Sequence, residues 1–253
     1  MSTTPTVLAM ILARGGSKGL PRKNVLLVDG RPLIAWTVAA ALGAKCVSRV
    51  ILSSDDDEII LAARANGCEV PFRRPAELAT DQATSIEVVL HALAEIPGYD
   101  YLLLLQPTSP LRTAADIDAA FAAMMASAAP ACVSLCPVEE SPYWMFRVDA
   151  ENRMAKLLEP PPSAHRRQEL PPVYSLNGAL YLARTDWFYR NKTFISPETI
   201  GYVMPRSRSI DIDTREDFMA FQRAIAGRAT ANVSSPPTDA PYTHTDDHID
   251  TPP

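Results

Sequence analysis

Residues 7–24 read VLAMILARGGSKGLPRKN, an unbroken apolar run that passes directly into a loop carrying Arg14, Lys18, Arg22, Lys23 and three glycines. A short run without polar alternation is the pattern of a strand buried on both faces, which belongs in a parallel sheet covered by helices. The same pattern returns at residues 49–53, 101–105 and 131–136, and amphipathic segments of crossover length separate the runs. The alternation predicts an α/β fold with a mostly parallel central sheet. The helices announce their ends. Pro32 opens one that runs to about Gly43, and Gly67 terminates another over residues 57–66. Thr84 and Glu87 form a capping box ahead of VVLHALAEI, and Thr113 caps AADIDAAFAAMMAS. NGALYLA, residues 177–183, resumes the parallel rhythm, and Thr214 with Asp217 three residues on starts a last helix.

A chain of 253 residues suffices for one domain with a full core. The expected boundaries are a main domain over residues 1–229, an insertion at about 137–172 that is rich in proline, and a disordered tail over 230–253 dominated by Pro, Thr and Asp. The net charge of −5 argues against a nucleic-acid partner. No stretch reaches the ~18 consecutive apolar residues of a membrane span, and residues 1–10 lack a basic segment with a cleavage site, so a cytoplasmic protein is expected. Cys46, Cys68, Cys132 and Cys136 are scattered through apolar segments without metal-site spacing and read as reduced core residues. His244 and His248, in the tail, read as solvated.

Three polar constellations stand out. The first is the loop after residue 13. It matches neither G-x-x-x-x-G-K-[ST] nor G-x-G-x-x-G, yet glycines beside convergent cations at a strand end suit phosphate, and so many cations suit a triphosphate best. The plainer alternative is a solvated basic turn. The second is LLLLQPTSPLR, where Gln106, Thr108, Ser109 and Arg112 emerge after Leu105; in open α/β sheets this end of the strands is where ligands sit. Taken alone, it is also an ordinary turn whose Ser and Thr bond their own backbone. The third is Asp211-Ile-Asp213. On a strand, two carboxylates two residues apart face the same way and suit Mg²⁺ held together with substrate phosphates, although helix capping explains the second one equally well. The further acidic run, residues 54–58, reads as the N-terminus of a helix, where negative charge complements the dipole.

ARGGSKGLPRKN, RPAELATD, QPTSPLR, RRQELP with NGALYL, and DIDTREDF follow one another in this order. Together they resemble the acylneuraminate cytidylyltransferase family, the CMP-sialic acid synthetases and related CMP-nonulosonate synthetases, over residues 7–224. The resemblance implies a three-layer Rossmann-like nucleotidyltransferase fold and an enzyme that joins CTP to a nonulosonic acid, giving a CMP-sugar and pyrophosphate. It implies nucleotide contacts at Arg14, Ser17, Lys18, Lys23 and Asn24, and cytidine contacts near Arg73, Arg74 and Ser85. Sugar contacts are implied at Gln106, Arg166, Gln168, Asn177 and Tyr181. Mg²⁺ falls to Asp211 and Asp213, which with Lys23 form the implied catalytic set. The resemblance further implies a homodimer built on the insertion, with Tyr143, Trp144, Met145 and Phe146 at the interface; a satellite cluster within one chain is the alternative. RRQELP with NGALYL favours neuraminate-like and legionaminate-like members over pseudaminate-like ones. Two other readings compete: a glycosyltransferase in which Asp211 and Asp213 form the metal-binding D-x-D, and a nucleotide-binding module without catalysis. The first leaves the basic loop unexplained, and the second leaves the triphosphate and metal candidates without a purpose.

Overall fold

The computed structural model describes residues 4–17, 19–159, 161, 166 and 169–233, with side chains through residue 228. In β1 (Val7–Leu12), Val7, Ala9 and Ile11 enter one apolar cluster while Leu8 and Met10 enter another on the opposite face, so the run that opens the chain is buried from both sides. After it come a short hairpin of β2 (Leu27–Val28) and β3 (Arg31–Pro32), then α1 (Leu33–Gly43), β4 (Arg49–Ser53), α2 (Asp57–Ala65), α3 (Ser85–Glu95), β5 (Tyr101–Leu105), α4 (Ala114–Ser127) and β6 (Ala131–Pro137). The second half holds a hairpin of β7 (Phe146–Val148) and β8 (Met154–Lys156), then β9 (Tyr174–Arg184), α5 (Thr185–Asn191), β10 (Ile200–Val203) and α6 (Arg215–Val233). Helices α1, α2 and α4 cover one face of the sheet through Ile34, Val38, Ile59 and Ile117. Helices α3 and α5 cover the other through Val89, Leu93, Trp187 and Phe188. The result is three layers.

The main sheet runs β10-β6-β9-β5-β1-β4. Strands β1, β4 and β5 pair in parallel, as do β6 and β10. NGALYLA departs from the expected parallel rhythm, because β9 is antiparallel to both β5 and β6. The connection explains this. Pro137 pairs with Tyr174, and the Val138 N–H donates to Val173 O at 3.1 Å, so the insertion hangs from the end of a hairpin and β9 returns beside β6 without a crossover. β10 was absent from the expected strands. Its four residues pair with β6 alone and are too few for a periodic signal.

The local expectations at helix ends hold in detail. Thr84 with Glu87 and Thr113 with Asp116 both form reciprocal capping boxes, and Gly67 follows α2 at φ 85°, where a side chain would be strained. Thr214 Oγ1 accepts from the Asp217 N–H at 3.2 Å at the start of α6. Helix α6 continues to Val233, past the boundary placed at residue 229; the rest of the expected tail, including His244 and His248, lies outside the described residues. All four cysteines are unpaired. Burial raises the thiols of Cys46 and Cys68 to about 12 and that of Cys132 to about 11, which keeps them unreactive.

Candidate active site

Strands β1, β4 and β5 all point their carboxyl ends the same way, so the loops after Leu12, Ser53 and Leu105 open on one edge of the sheet. A small apolar cluster beneath that edge ties distant segments together. Leu20 of the basic loop, Leu111 of QPTSPLR and Ile212 between the two aspartates pack with Phe221 and Ile225 of α6. Two bonds to the Ile212 backbone complete the assembly: the Ile212 N–H donates to Thr108 O at 2.8 Å, and the Lys23 side-chain Nζ donates to Ile212 O at 2.5 Å. Gly19 has to be a glycine here, since a Cβ on it would stand 2.5 Å from Asp213 O.

The cleft so formed has a volume of about 500 Å³ and is lined by Arg14, Ser17, Lys23, Asn24, Ser85, Gln106, Thr108, Asp211 and Asp213, among others. Residues far apart in the chain and selected by sequence pattern therefore share one wall. Lys23 is only 8% exposed, yet its ammonium reaches Asp213 Oδ1 at 2.9 Å, on a carboxylate side chain that is 73% exposed. The cation is thus fixed in the wall while its partner faces water. Asp211 and Asp213 flank the buried Ile212 in an irregular segment. The expected strand is absent because this segment is held by Thr108 and Lys23 rather than by a ladder.

Arg14 pairs with Asp81 at 2.7 Å and also lines a neighbouring cleft of about 290 Å³ with Arg74, Thr80 and Ser85. Arg22 does not join the basic wall. Its φ of 59° turns it outward, where it bonds Asp56 at 2.7 Å and also Glu58. The acidic run at residues 54–58 does begin α2: Asp56 caps it by accepting from the Ile59 N–H at 3.0 Å. It also binds loop arginines, since Arg73 pairs with Asp57 at 2.5 Å. Arg74 is buried and donates to Ser53 O at 2.6 Å, and burial lowers its guanidinium to about 10.

Of the expected sugar-side residues, Gln106 lines the cleft. Its Oε1 lies 2.7 Å from where a Cβ on Gly178 would stand. Asn177 is turned into the sheet: its Oδ1 accepts from Ser134 Oγ at 2.6 Å and its Nδ2 donates to Ser209 Oγ at 2.9 Å. The Tyr181 ring is 5.5 Å from that of Phe194, and burial with the charge of Asp211 raises its hydroxyl. Arg166 is exposed and does not line the cleft; its N–H donates to Glu169 Oε2 at 3.0 Å. Lys18 and Gln168 lie outside the described residues. Arg112 closes the QPTSPLR motif, and the sequence alone assigns it no role. The structure buries its guanidinium behind the cleft, where burial lowers it to about 9 against the opposing charges of Asp116 and Asp211. Asp81, the partner of Arg14, closes the RPAELATD motif, but the motif alone does not reveal that the two loops meet.

The chain resembles proteins of one chemistry. The "CMP-N,N'-diacetyllegionaminic acid synthase" of Legionella pneumophila is 36% identical over 228 residues, covering 87% of this chain and 96% of that protein. An "N-acylneuraminate cytidylyltransferase" of Streptococcus agalactiae is 34% identical over 214 residues, and this chain spans only 51% of its length. Among solved structures, a CMP:2-keto-3-deoxy-manno-octonic acid synthetase complexed with CTP shares the fold, with a TM-score of 0.66 at 18% identity over 88% of this chain and 99% of that one. Residues 8–225, from β1 into α6, match the cytidylyltransferase family, and the chain belongs to that family of nucleotidyltransferases.

Proposed function

We propose that this cytidylyltransferase joins CTP to a nonulosonic acid of the neuraminate or legionaminate type, releasing pyrophosphate. The observation that carries the reading is the single cleft in which Arg14 and Lys23 stand beside Asp211 and Asp213. In the proposed reaction the anomeric hydroxyl oxygen of the sugar acid attacks the α-phosphorus in line; the new P–O bond forms as the Pα–O bond to the β-phosphate breaks, pyrophosphate leaves, and the hydroxyl proton passes to solvent. Such chemistry asks the protein for position and charge rather than for a nucleophile. Arg14, Ser17, Lys23 and Asn24 face the triphosphate. Lys23 begins the reaction already anchored by Ile212 O, so little freedom is lost when it donates to phosphate. Gln106 orients the sugar acid.

The donor set fits a divalent cation of the Mg²⁺ class. Asp211 and Asp213 offer hard oxygens in the cleft, and no group of three or more His, Cys, Asp or Glu suited to a metal occurs among the described residues. Two carboxylates that need phosphate oxygens to complete a coordination shell are the usual arrangement for Mg²⁺. When bound, the ion supplies charge neutralisation and orientation of the phosphates. The partner proposed for the insertion is a second copy of the chain: Trp144, Met145, Phe146, Val148 and Met154 are exposed on and beside the β7–β8 hairpin. No helix among the described residues is long and apolar enough to cross a membrane.

The test is product formation from CTP with N,N'-diacetyllegionaminic, N-acetylneuraminic and pseudaminic acids, followed by pyrophosphate release and product mass. A CMP-sugar with one of the first two is expected. Pyrophosphate release from CTP without any acid, or no product with all three, contradicts the reading.

A further inference from the structure

The antiparallel ladder between β5 and β9 pairs Tyr101 with Arg184 through Leu104 with Tyr181. The same register, continued toward the cleft, sets Gln106 opposite Ala179. No ladder forms there. Instead the buried guanidinium of Arg112 bridges the two backbones: Nε donates to Ala179 O at 2.5 Å and Nη2 donates to Gln106 O. Nη1 donates to Thr37 Oγ1 of α1 at 2.8 Å, which fixes the wedge from the far side. Two facing carbonyls have no donor between them, and a planar fork with several N–H groups fills that need where an ammonium fills it poorly. Close by, Ser109 Oγ donates to Asn177 O at 3.1 Å, and Gly178 at φ 70° leaves room for the Gln106 amide.

We infer that Arg112 is a positioning residue for the sugar acid: it wedges β5 from β9 at the point where the chain turns into the cleft, and thereby seats the Gln106 amide over Gly178. Arg112 does not line the cleft; it reaches the sugar side through the two backbone carbonyls it holds. The inference rests on reading the cleft as the site for CTP and a sugar acid. It assigns Arg112 to the sugar side because its two backbone acceptors belong to Gln106 and to the strand beneath it, whereas Arg14, Lys23 and Asn24 take no bond from it.

Arg112→Lys keeps the charge and loses the fork. The expected result is a KM for the sugar acid raised about tenfold or more, with CTP affinity changed by less than about twofold. In a Gln106→Ala background the same change should have almost no further effect, because both act through one group. Equal losses for both substrates, effects that multiply in the double variant, or no effect each overturn the inference. Thr37→Val removes one anchor away from the cleft, and it decides the matter if Arg112→Lys does not fold. A sugar-acid KM raised about threefold with unaltered CTP affinity is expected, and an unaltered KM overturns the inference. A crystal structure of either variant separates this inference from the functional reading. A Gln106 amide unmoved over Gly178 refutes the wedge whatever the enzyme turns over, while wild-type protein inactive with every sugar acid refutes the functional reading alone.

Discussion

Lys23 carries the most at the residue scale, because one ammonium touches both the backbone and the carboxylate of the Asp211–Asp213 segment. Its partner Asp213 is largely solvated, so Lys23→Ala should leave the fold intact while removing a charge-assisted contact worth roughly 1.5–3 kcal/mol. Calorimetry should then record CTP binding weakened about 10- to 150-fold. An unchanged affinity would remove Lys23 from the nucleotide wall. Gly178 is the opposite case, where absence of a side chain is the function. Its φ of 70° costs an L-residue about 1–2 kcal/mol, and a Cβ would meet Gln106 Oε1 at 2.7 Å. Gly178→Ala should lower the melting temperature by about 2–8 °C and weaken sugar-acid binding more than CTP binding. A variant with wild-type melting and kinetics would show that the close approach is dispensable.

Among the elements, what was legible in the sequence is what is local. The capping boxes at Thr84 and Thr113 and the stop at Gly67 are settled within four residues, and the two-faced burial of β1 within six. The direction of β9 was not legible, because it depends on which strand the insertion returns to. Nor was the use of the loop cations: a composition that groups Arg22 with Lys23 does not reveal that a left-handed φ turns Arg22 to the acidic run of α2. Asn177 fell within a recognised motif, yet its amide is spent on Ser134 and Ser209. The α4 cap yields a pH prediction. Burial alone would raise the Asp116 carboxyl, but bonds from Arg208 and Thr113 outweigh it and hold it below the ordinary carboxylate value. A depressed folded pKa stabilises the fold above the unfolded value of about 4, and that share is lost as pH falls through the lower folded value. Asp116→Asn should therefore be less stable than wild type at pH 7, with the two urea-unfolding curves converging below about pH 4. Curves that stay parallel would remove Asp116 from the acid response.

For the whole molecule, the sheet's mixed order places three loops on one edge and sends the insertion out from β6 and β9, away from the core clusters. The exposed apolar side chains of the β7–β8 region sit on that projection, so the proposed dimer should form there. Sedimentation at micromolar concentration should give a dimer, and Trp144→Glu combined with Phe146→Glu should give a folded monomer; a wild-type monomer would refute the arm. The central claim concerns the cleft on that same carboxyl edge of the sheet, read as one nucleotide and metal site made by a basic strand-end loop and two late aspartates. A crystal grown with CTP and Mn²⁺, measured for anomalous scattering, tests it directly. The account predicts an Mn²⁺ peak bound by carboxylate oxygens of Asp211 or Asp213, with the triphosphate against Arg14 and Lys23. A nucleotide seated elsewhere, or a peak remote from both aspartates, would contradict it.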